Sequence, residues 1–379
     1  MDTKGRRTAC GSVGELITAI REDRNADVVL AWTPDFPNMV MPEEVPDAEA
    51  AVLVARKRRA ADDLADALDR VRRFSLLLGG LILYMFWQGW AHAPRTATHP
   101  ERLISAVQTV IHSISVGTGL LMLLIFAFIP WYQARKQLRL IEHGGGGDVK
   151  SLIPVLRFET WMEMQKAPVT RLLLVLVGLV GLAQCLPGDS LAAAGLVKND
   201  YLIDDEWWRL FTAPFLHGNI LHFLLNGAAL LYLGKRVEVF ARWPHLPLVF
   251  LFSFCVGGEA SARFLAATSV GASGGLMGLL GFLLVFESLH SQLVPRAATR
   301  RLLGGVAATA LIGLVGYKFI DNAAHIGGLL AGMLYAAIVF PRSSSANRPG
   351  TTLTDRIAGA AAVAAIAASA GCAILRIVF

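Results

Sequence analysis

Ser273 lies in the run Gly271-Ala272-Ser273-Gly274, at the start of an apolar segment. His325 lies near the start of another such segment, 52 residues later. A neutral serine hydroxyl is a weak nucleophile and needs a neighbouring base. A serine and a histidine at matching depths in two apolar segments therefore point to nucleophile and base, and to hydrolysis inside a bilayer. A third element is the run Leu216-His217-Gly218-Asn219-Ile220-Leu221-His222-Phe223-Leu224-Leu225-Asn226. His222 and Asn226 are four apart and share a helix face. Both offer donors of the kind that stabilise a developing oxyanion in acyl transfer. His217 is about half a turn off that face, which suits a brace for the loop leading in. Each motif alone is weak, because small and polar residues also serve to join neighbouring helices. Polar side chains in membrane spans are costly, however, and tend to be functional.

The elements that must carry these residues are membrane helices. Of the 379 residues 54% are hydrophobic and 17% charged, against roughly 25% charged in soluble proteins. The mean hydropathy is +0.52, and several stretches approach the ~20 apolar residues that cross a bilayer. Residues 1–73 are polar, with no early apolar core of a cleavable signal. Within them a short strand is expected at 27–32 and a charged helix at 48–73. Pro34, Pro37, Pro42 and Pro46 make the piece between irregular. Spans are expected at 74–92 and 107–132, then a polar linker at 133–169 whose Gly144–Gly147 run reads as a flexible joint. Six spans follow near 171–187, 210–234, 246–268, 271–290, 302–318 and 322–341. A last, alanine-rich span covers about 357–379, after a linker from 342. Cys10, Cys185, Cys255 and Cys372 are far apart, which argues against a zinc site or disulfide framework.

The basic residues orient these spans. Twelve lysines and arginines precede residue 74, and others cluster at 135–166, at Lys235, Arg236 and Arg242, at Arg296, Arg300 and Arg301, and at Arg342, Arg348 and Arg356. The alternate loops hold few. Nine spans with a cytoplasmic N-terminus satisfy the positive-inside rule at every loop. The ends that carry Ser273 and His325 then both face outward. The net charge of +6 thus reflects membrane topology, and no nucleic-acid partner is expected. Gly274, Gly278 and Gly281 follow the serine at helical spacing, and Gly328 and Gly332 share the histidine's helix face. Such faces let membrane helices approach closely.

Residues 170–341 resemble the core of the rhomboid intramembrane serine proteases. The matching motifs are Trp208-Arg209, His217-x4-His222-x3-Asn226, Gly271-x-Ser273-Gly274 and Ala324-His325-x2-Gly328-x3-Gly332, with Gly234 and Glu238 in register. The resemblance implies an all-α polytopic membrane protein with a six-helix core, to which two N-terminal spans and one C-terminal span are added. It implies a dyad in which Ser273 attacks a peptide carbonyl and His325 is the base. It also implies an oxyanion hole formed by the Ser273 N–H with the His222 and Asn226 side chains, and an outer loop shaped by Trp208 and Arg209. The implied substrates are transmembrane helices of other proteins, cut near their outer end where they unwind. The implied setting is the lipid bilayer of a bacterial inner membrane, with no metal and no cofactor.

Two positions call for separate readings. Many members of that family have an aromatic residue where this chain has Met277, so the histidine is held less firmly. Asp321 precedes His325 by four and reads as a helix N-cap rather than a triad acid. Glu238 is expected to hydrogen-bond between helices at the cytoplasmic side, and Glu287 to be interfacial. Other functions fit less well. An inactive relative that binds membrane clients would typically lack one dyad residue. A haem or metal carrier using His217, His222 and His325 is disfavoured, because His217 and His222 diverge on a helix. A transporter is disfavoured by the absence of a convincing inverted repeat and of charged residues in midspan.

Overall fold

The computed structural model describes residues 1, 7–22, 30–36, 40–94, 96, 98–143, 158, 161–162, 164–294, 296–316, 320–345 and 347–379. Among them the regular elements are helices, joined by two isolated β-bridges, Ala31 with Val40 and Leu196 with Ser269. Of the expected strand at 27–32, only Ala31 pairs, and residues 27–29 lie outside the described residues, as do Gly144–Gly147. The chain divides into two compact units, Met1–Thr160 and Trp161–Phe379.

In the first unit α1 (Val13–Glu22) packs through Ile20 against Ala48, Ala51 and Val52. The charged helix and the first span expected from the sequence form one helix, α2 (Glu49–Ala91), about 65 Å long at 1.5 Å per residue. Its first half buries Ala51, Ala55, Ala60 and Ala67, and its second half exposes Leu76, Leu77, Leu83 and Trp87. The second expected span is interrupted. It comprises α3 (His99–Ile111), α4 (Ile114–Met122), a π-helical turn at Leu123–Phe128 and α5 (Ile129–His143). Ser113 starts α4 by accepting from the Val116 N–H at 3.3 Å. Pro130 follows the π turn and has no N–H for the carbonyl four residues back, a known cause of such widening.

The second unit comprises α6 (Pro168–Ala183), the short helices α7 (Ser190–Ala194), α8 (Lys198–Leu202) and α9 (Arg209–Thr212), then α10 (Ile220–Ala229), a π turn at Leu230–Gly234 and α11 (Lys235–Phe240). It continues with α12 (His245–Phe264), α13 (Ser273–Leu289), α14 (Arg296–Val315), α15 (Asn322–Val339) and α16 (Leu353–Val378). Among the described residues four helices are long and apolar enough to cross a membrane: α2, α12, α15 and α16. The shorter helices α6 and α13, and Leu302–Leu311 of α14, are also apolar. The protein is an all-α polytopic membrane protein. The span expected at 210–234 is two pieces, Arg209–Phe215 and Ile220–Phe240, bent by 91°. Pro214 and Gly218 flank the break, and Asn219 caps the new helix by accepting from the His222 N–H at 2.8 Å.

Helices α12, α13 and α15 form the centre of this unit. A Cβ added to Gly328 would strike the Gly274 backbone, and one on Gly332 the Gly278 backbone. The two helices meet main chain to main chain, as small-residue faces allow in membranes. The C-terminal helix α16 packs on α12 and α6 and reaches α7 and α9. At the other end of the bundle Glu238 accepts from the Val169 N–H (3.0 Å), the Thr170 N–H (2.8 Å) and the Thr170 hydroxyl (2.7 Å). It thereby satisfies the first amides of α6, as expected for a carboxylate joining helices.

Glu287 departs from expectation. Its side chain is fully buried rather than interfacial, accepting from Arg236 at 2.6 Å and from the Thr299 hydroxyl at 2.9 Å. The partner lies 51 residues away on α11, so α13 spacing alone could not reveal it. Removing Arg236 leaves the buried Glu287 carboxylate with the Thr299 hydroxyl in place of a charged partner. Arg236→Met is therefore expected to cost ~3–5 kcal/mol, read as a lowered melting temperature in detergent. Arg236→Met with Glu287→Leu should cost less than Arg236→Met alone.

Candidate active site

Ser273 opens α13 and is half-buried, and His325 lies in the first turn of α15, also half-buried. Their neighbours define the crossing of the two helices. A Cβ on Gly274 would lie 3.6 Å from the Ala324 carbonyl oxygen and 3.9 Å from its Cβ. One on Gly257 of α12 would lie 2.7 Å from that same carbonyl oxygen. The residue after Ser273 thus packs against the residue before His325. No hydrogen bond joins the two side chains, and no aromatic ring stacks on His325 among the described residues.

Gly271 brings the third element in. Its φ is +118°, a conformation that favours glycine. A Cβ there would lie 2.6 Å from His222 Cε1, 2.9 Å from His222 Nε2 and 3.5 Å from Asn226 Nδ2. The His222 and Asn226 side chains, four residues apart on α10, therefore sit against the backbone two residues before the serine. Asn226 Nδ2 is buried without a hydrogen-bond partner, so a donor stands unused beside that loop. The Gly271 N–H itself donates to the Ala213 carbonyl at 3.0 Å. That bond ties the serine loop to the short arm before α10.

His217 lies in the loop that leads into α10. Its N–H donates to Gln184 Oε1 at 2.9 Å, and Gln184 Nε2 donates back to the His217 carbonyl at 3.2 Å. Its ring stands edge-on to His222 (centroids 5.1 Å apart) and to Phe223 (5.3 Å). Gln184 was not singled out from the sequence; it lies 33 residues from its partner.

Trp208 and Arg209 lie in the segment between α6 and α10. Arg209 is buried and donates to the carbonyls of Ala192 (2.8 Å) and Gly195 (2.9 Å), and it pairs with Asp200 (2.8 Å) and Glu206 (2.5 Å). One guanidinium with several fixed donors thus cross-braces the loop. Two guanidinium groups lie over the Trp208 ring, Arg209 at 4.7 Å and Arg376 of α16 at 4.4 Å from its centroid. Both are cation–π distances.

Asp321 caps α15 as expected, accepting from the Ala324 N–H at 2.8 Å. Its second oxygen accepts from the Ser261 hydroxyl at 2.5 Å. Ser261 also hydrogen-bonds with Lys198 and the half-buried Ser269, a polar group that local spacing in the sequence does not reveal. Burial pushes the Lys198 ammonium down to about 8, against the opposing pull of the Asp321 carboxylate. Among the described residues no cluster of histidine, cysteine or acidic side chains is arranged to hold a metal ion.

Residues 204–342 match the family model of the rhomboid domain. Over 153 residues, 39% of this chain, the protein is 35% identical to the rhomboid protease GluP of Bacillus subtilis. Over a stretch of the same length it is 36% identical to RHOMBOID-like protein 4 of Arabidopsis thaliana. It is also 32% identical, over 142 residues, to inactive rhomboid protein 1 of Homo sapiens. These stretches span 29%, 38% and 16% of the three relatives. The matched domain holds Ser273, His325, His222, Asn226, Gly271 and the Trp208-Arg209 pair. Through residues 204–342 the chain carries a rhomboid domain.

Proposed function

We propose that this protein is an intramembrane serine endopeptidase that cuts transmembrane helices of other membrane proteins near their outer end. The observation that carries the reading is the junction at Gly271. There a glycine of positive φ admits the His222 ring and the Asn226 amide beside the loop that delivers Ser273. In this reading His325 takes the Ser273 proton as the hydroxyl attacks the scissile carbonyl. The Ser273 N–H, His222 and Asn226 then donate to the oxyanion. His325 next gives its proton to the leaving amine, and water completes hydrolysis of the acyl-enzyme. The substrate helix must unwind first, because its backbone is hydrogen-bonded within the helix and shielded. Met277 leaves His325 without an aromatic support. Gly274 and Gly328 bring the two helices together instead.

The wider assignment is part of the same proposal. It has nine spans, two before the core at 170–341 and one after, an N-terminal cytosolic segment at 1–73 and a cytosolic linker at 133–169. The charge pattern of the loops supports a cytoplasmic N-terminus, and a bacterial inner membrane suits that arrangement. No metal or cofactor takes part.

The test is reconstitution of the purified chain in vesicles with single-span substrates that carry small residues at a readily unwound outer end. Products whose new termini map inside the span support the reading. Stable capture of uncut substrates would favour a second reading, client binding without cleavage. That second reading has its own support in the likeness to a protein named inactive and in the lack of a hydrogen bond between Ser273 and His325. Asn226→Ala separates the two as well. Loss of one oxyanion donor is expected to slow cleavage by ~10²–10³ while substrate capture, measured by cross-linking, stays unchanged.

A further inference from the structure

Four side chains from four separate segments, Lys198 and Ser261 buried and Ser269 and Asp321 half-buried, meet in a polar cluster that the proposed chemistry does not use. Lys198 is the first residue of α8 in the outer loop, and Ser261 lies in the last turn of α12. Ser269 lies in the loop before α13, and Asp321 caps α15. Lys198 Nζ donates to Ser261 Oγ at 2.6 Å and to Ser269 Oγ at 2.9 Å. The two serine hydroxyls are 2.8 Å apart, and Ser261 donates to Asp321 at 2.5 Å. An ammonium can only donate and a carboxylate can only accept. One proton order therefore satisfies the cluster: Ser261 accepts from Lys198 and Ser269 and donates to Asp321, and Ser269 accepts from Lys198 and donates to Ser261. The backbone repeats the link, since Leu196 and Ser269 exchange N–H···O bonds of 3.0 and 3.2 Å.

A lysine hydrogen-bonded to a serine can itself be a catalytic pair. Here the serine is sealed, with Ser261 at 0% exposure and its proton committed to Asp321, so no substrate carbonyl can reach it. The cluster's place in the chain is more telling. Ser269 is four residues before Ser273, and Asp321 is four before His325. A single side chain from the outer loop thus reaches both segments that lead into the proposed dyad, Ser269 directly and Asp321 through Ser261.

We propose that Lys198 is a positioning residue, which through Ser269 directly and through Ser261 to Asp321 fixes the start of α13 against the start of α15 and couples that register to the outer loop. The inference rests on the serine-protease reading for its effect on rate. The geometric coupling stands apart from that reading. An uncharged cluster would lose the directionality that a cation and an anion impose at its two ends. A shift of about 1 Å between nucleophile and base can cost ~10²-fold in rate.

The experiment uses the full chain in detergent and compares Lys198→Met, Lys198→Arg, Asp321→Asn and the double variant Lys198→Met/Asp321→Asn. Two quantities are read: the rate at which a fluorophosphonate probe labels Ser273, and backbone amide exchange at 265–273 and 320–326. Lys198→Met should slow labelling by about tenfold or more and speed exchange in both segments, with kcat falling more than KM changes. Lys198→Arg, which keeps the charge, should recover part of the rate. The double variant should be no slower than the slower single, because removing both charges leaves neither unpaired. Unchanged exchange in both segments of Lys198→Met, or faster exchange near residue 198 alone, would overturn the proposal. If the wild type itself takes no label, the protease reading fails, and the exchange data still decide whether Lys198 couples the two segments. Should Lys198→Met not fold, Ser269→Ala supplies the same comparison.

Discussion

Ser273→Ala and His325→Ala are each expected to lower cleavage of a membrane substrate by ~10⁶, the loss seen when either member of a hydrolase Ser–His pair is removed. The two losses should not add, because each removes the same step. Neither change should unfold the protein. Ser273 and His325 are half-buried, and no side-chain hydrogen bond of either holds the helices together. The contacts that do so come from the neighbouring Gly274, Ala324 and Gly328. A gel assay of substrate cleavage, run beside a thermal melt, separates loss of chemistry from loss of fold. Residual cleavage near the wild-type level in either variant would place the nucleophile or the base elsewhere.

Gly332→Leu is expected to have the opposite profile, with large damage to the fold and damage to chemistry only as a consequence. Its Cβ would overlap the backbone of Gly278, a contact that no rotamer can relieve. Helices α13 and α15 would have to separate, and overpacking of a close interface costs ~1–3 kcal/mol or more. The expected result is a lower melting temperature, poor recovery from the membrane and loss of cleavage together. Gly305→Leu provides the control, since a Cβ at Gly305 of α14 meets nothing within 4 Å. That variant should melt with the wild type. Equal stability of the two variants would mean that the glycine seam does not set the helix spacing.

Much of the proposed site was legible in the sequence because its residues break a strong local pattern. Ser273, His325, His222 and Asn226 are polar groups near the ends of apolar segments, and glycines follow at helical spacing. The close packing of α13 on α15 follows from those glycines, as does the Asp321 cap from its position before an apolar run. The features that were not legible depend on partners distant in the chain. Lys198 lies 63 residues from Ser261, and Arg236 lies 51 from Glu287. Hydropathy also located the start of α10 too early. The stretch 210–219 is apolar but turns through 91° into the helix at Ile220, where Pro214, Gly218 and the Asn219 cap outweigh composition. In the first unit the reverse occurred. A charged stretch and an apolar stretch read as separate elements, although nothing between them stops a helix, and α2 runs through both.

The most direct test of the central claim is labelling of the detergent-purified chain with a fluorophosphonate serine probe, beside Ser273→Ala and His325→Ala. Labelling of the wild type that disappears in both variants is expected if His325 activates Ser273. Absence of label on the folded wild type, with an active rhomboid protease labelled in parallel, would contradict an activated serine and leave client binding as the better reading.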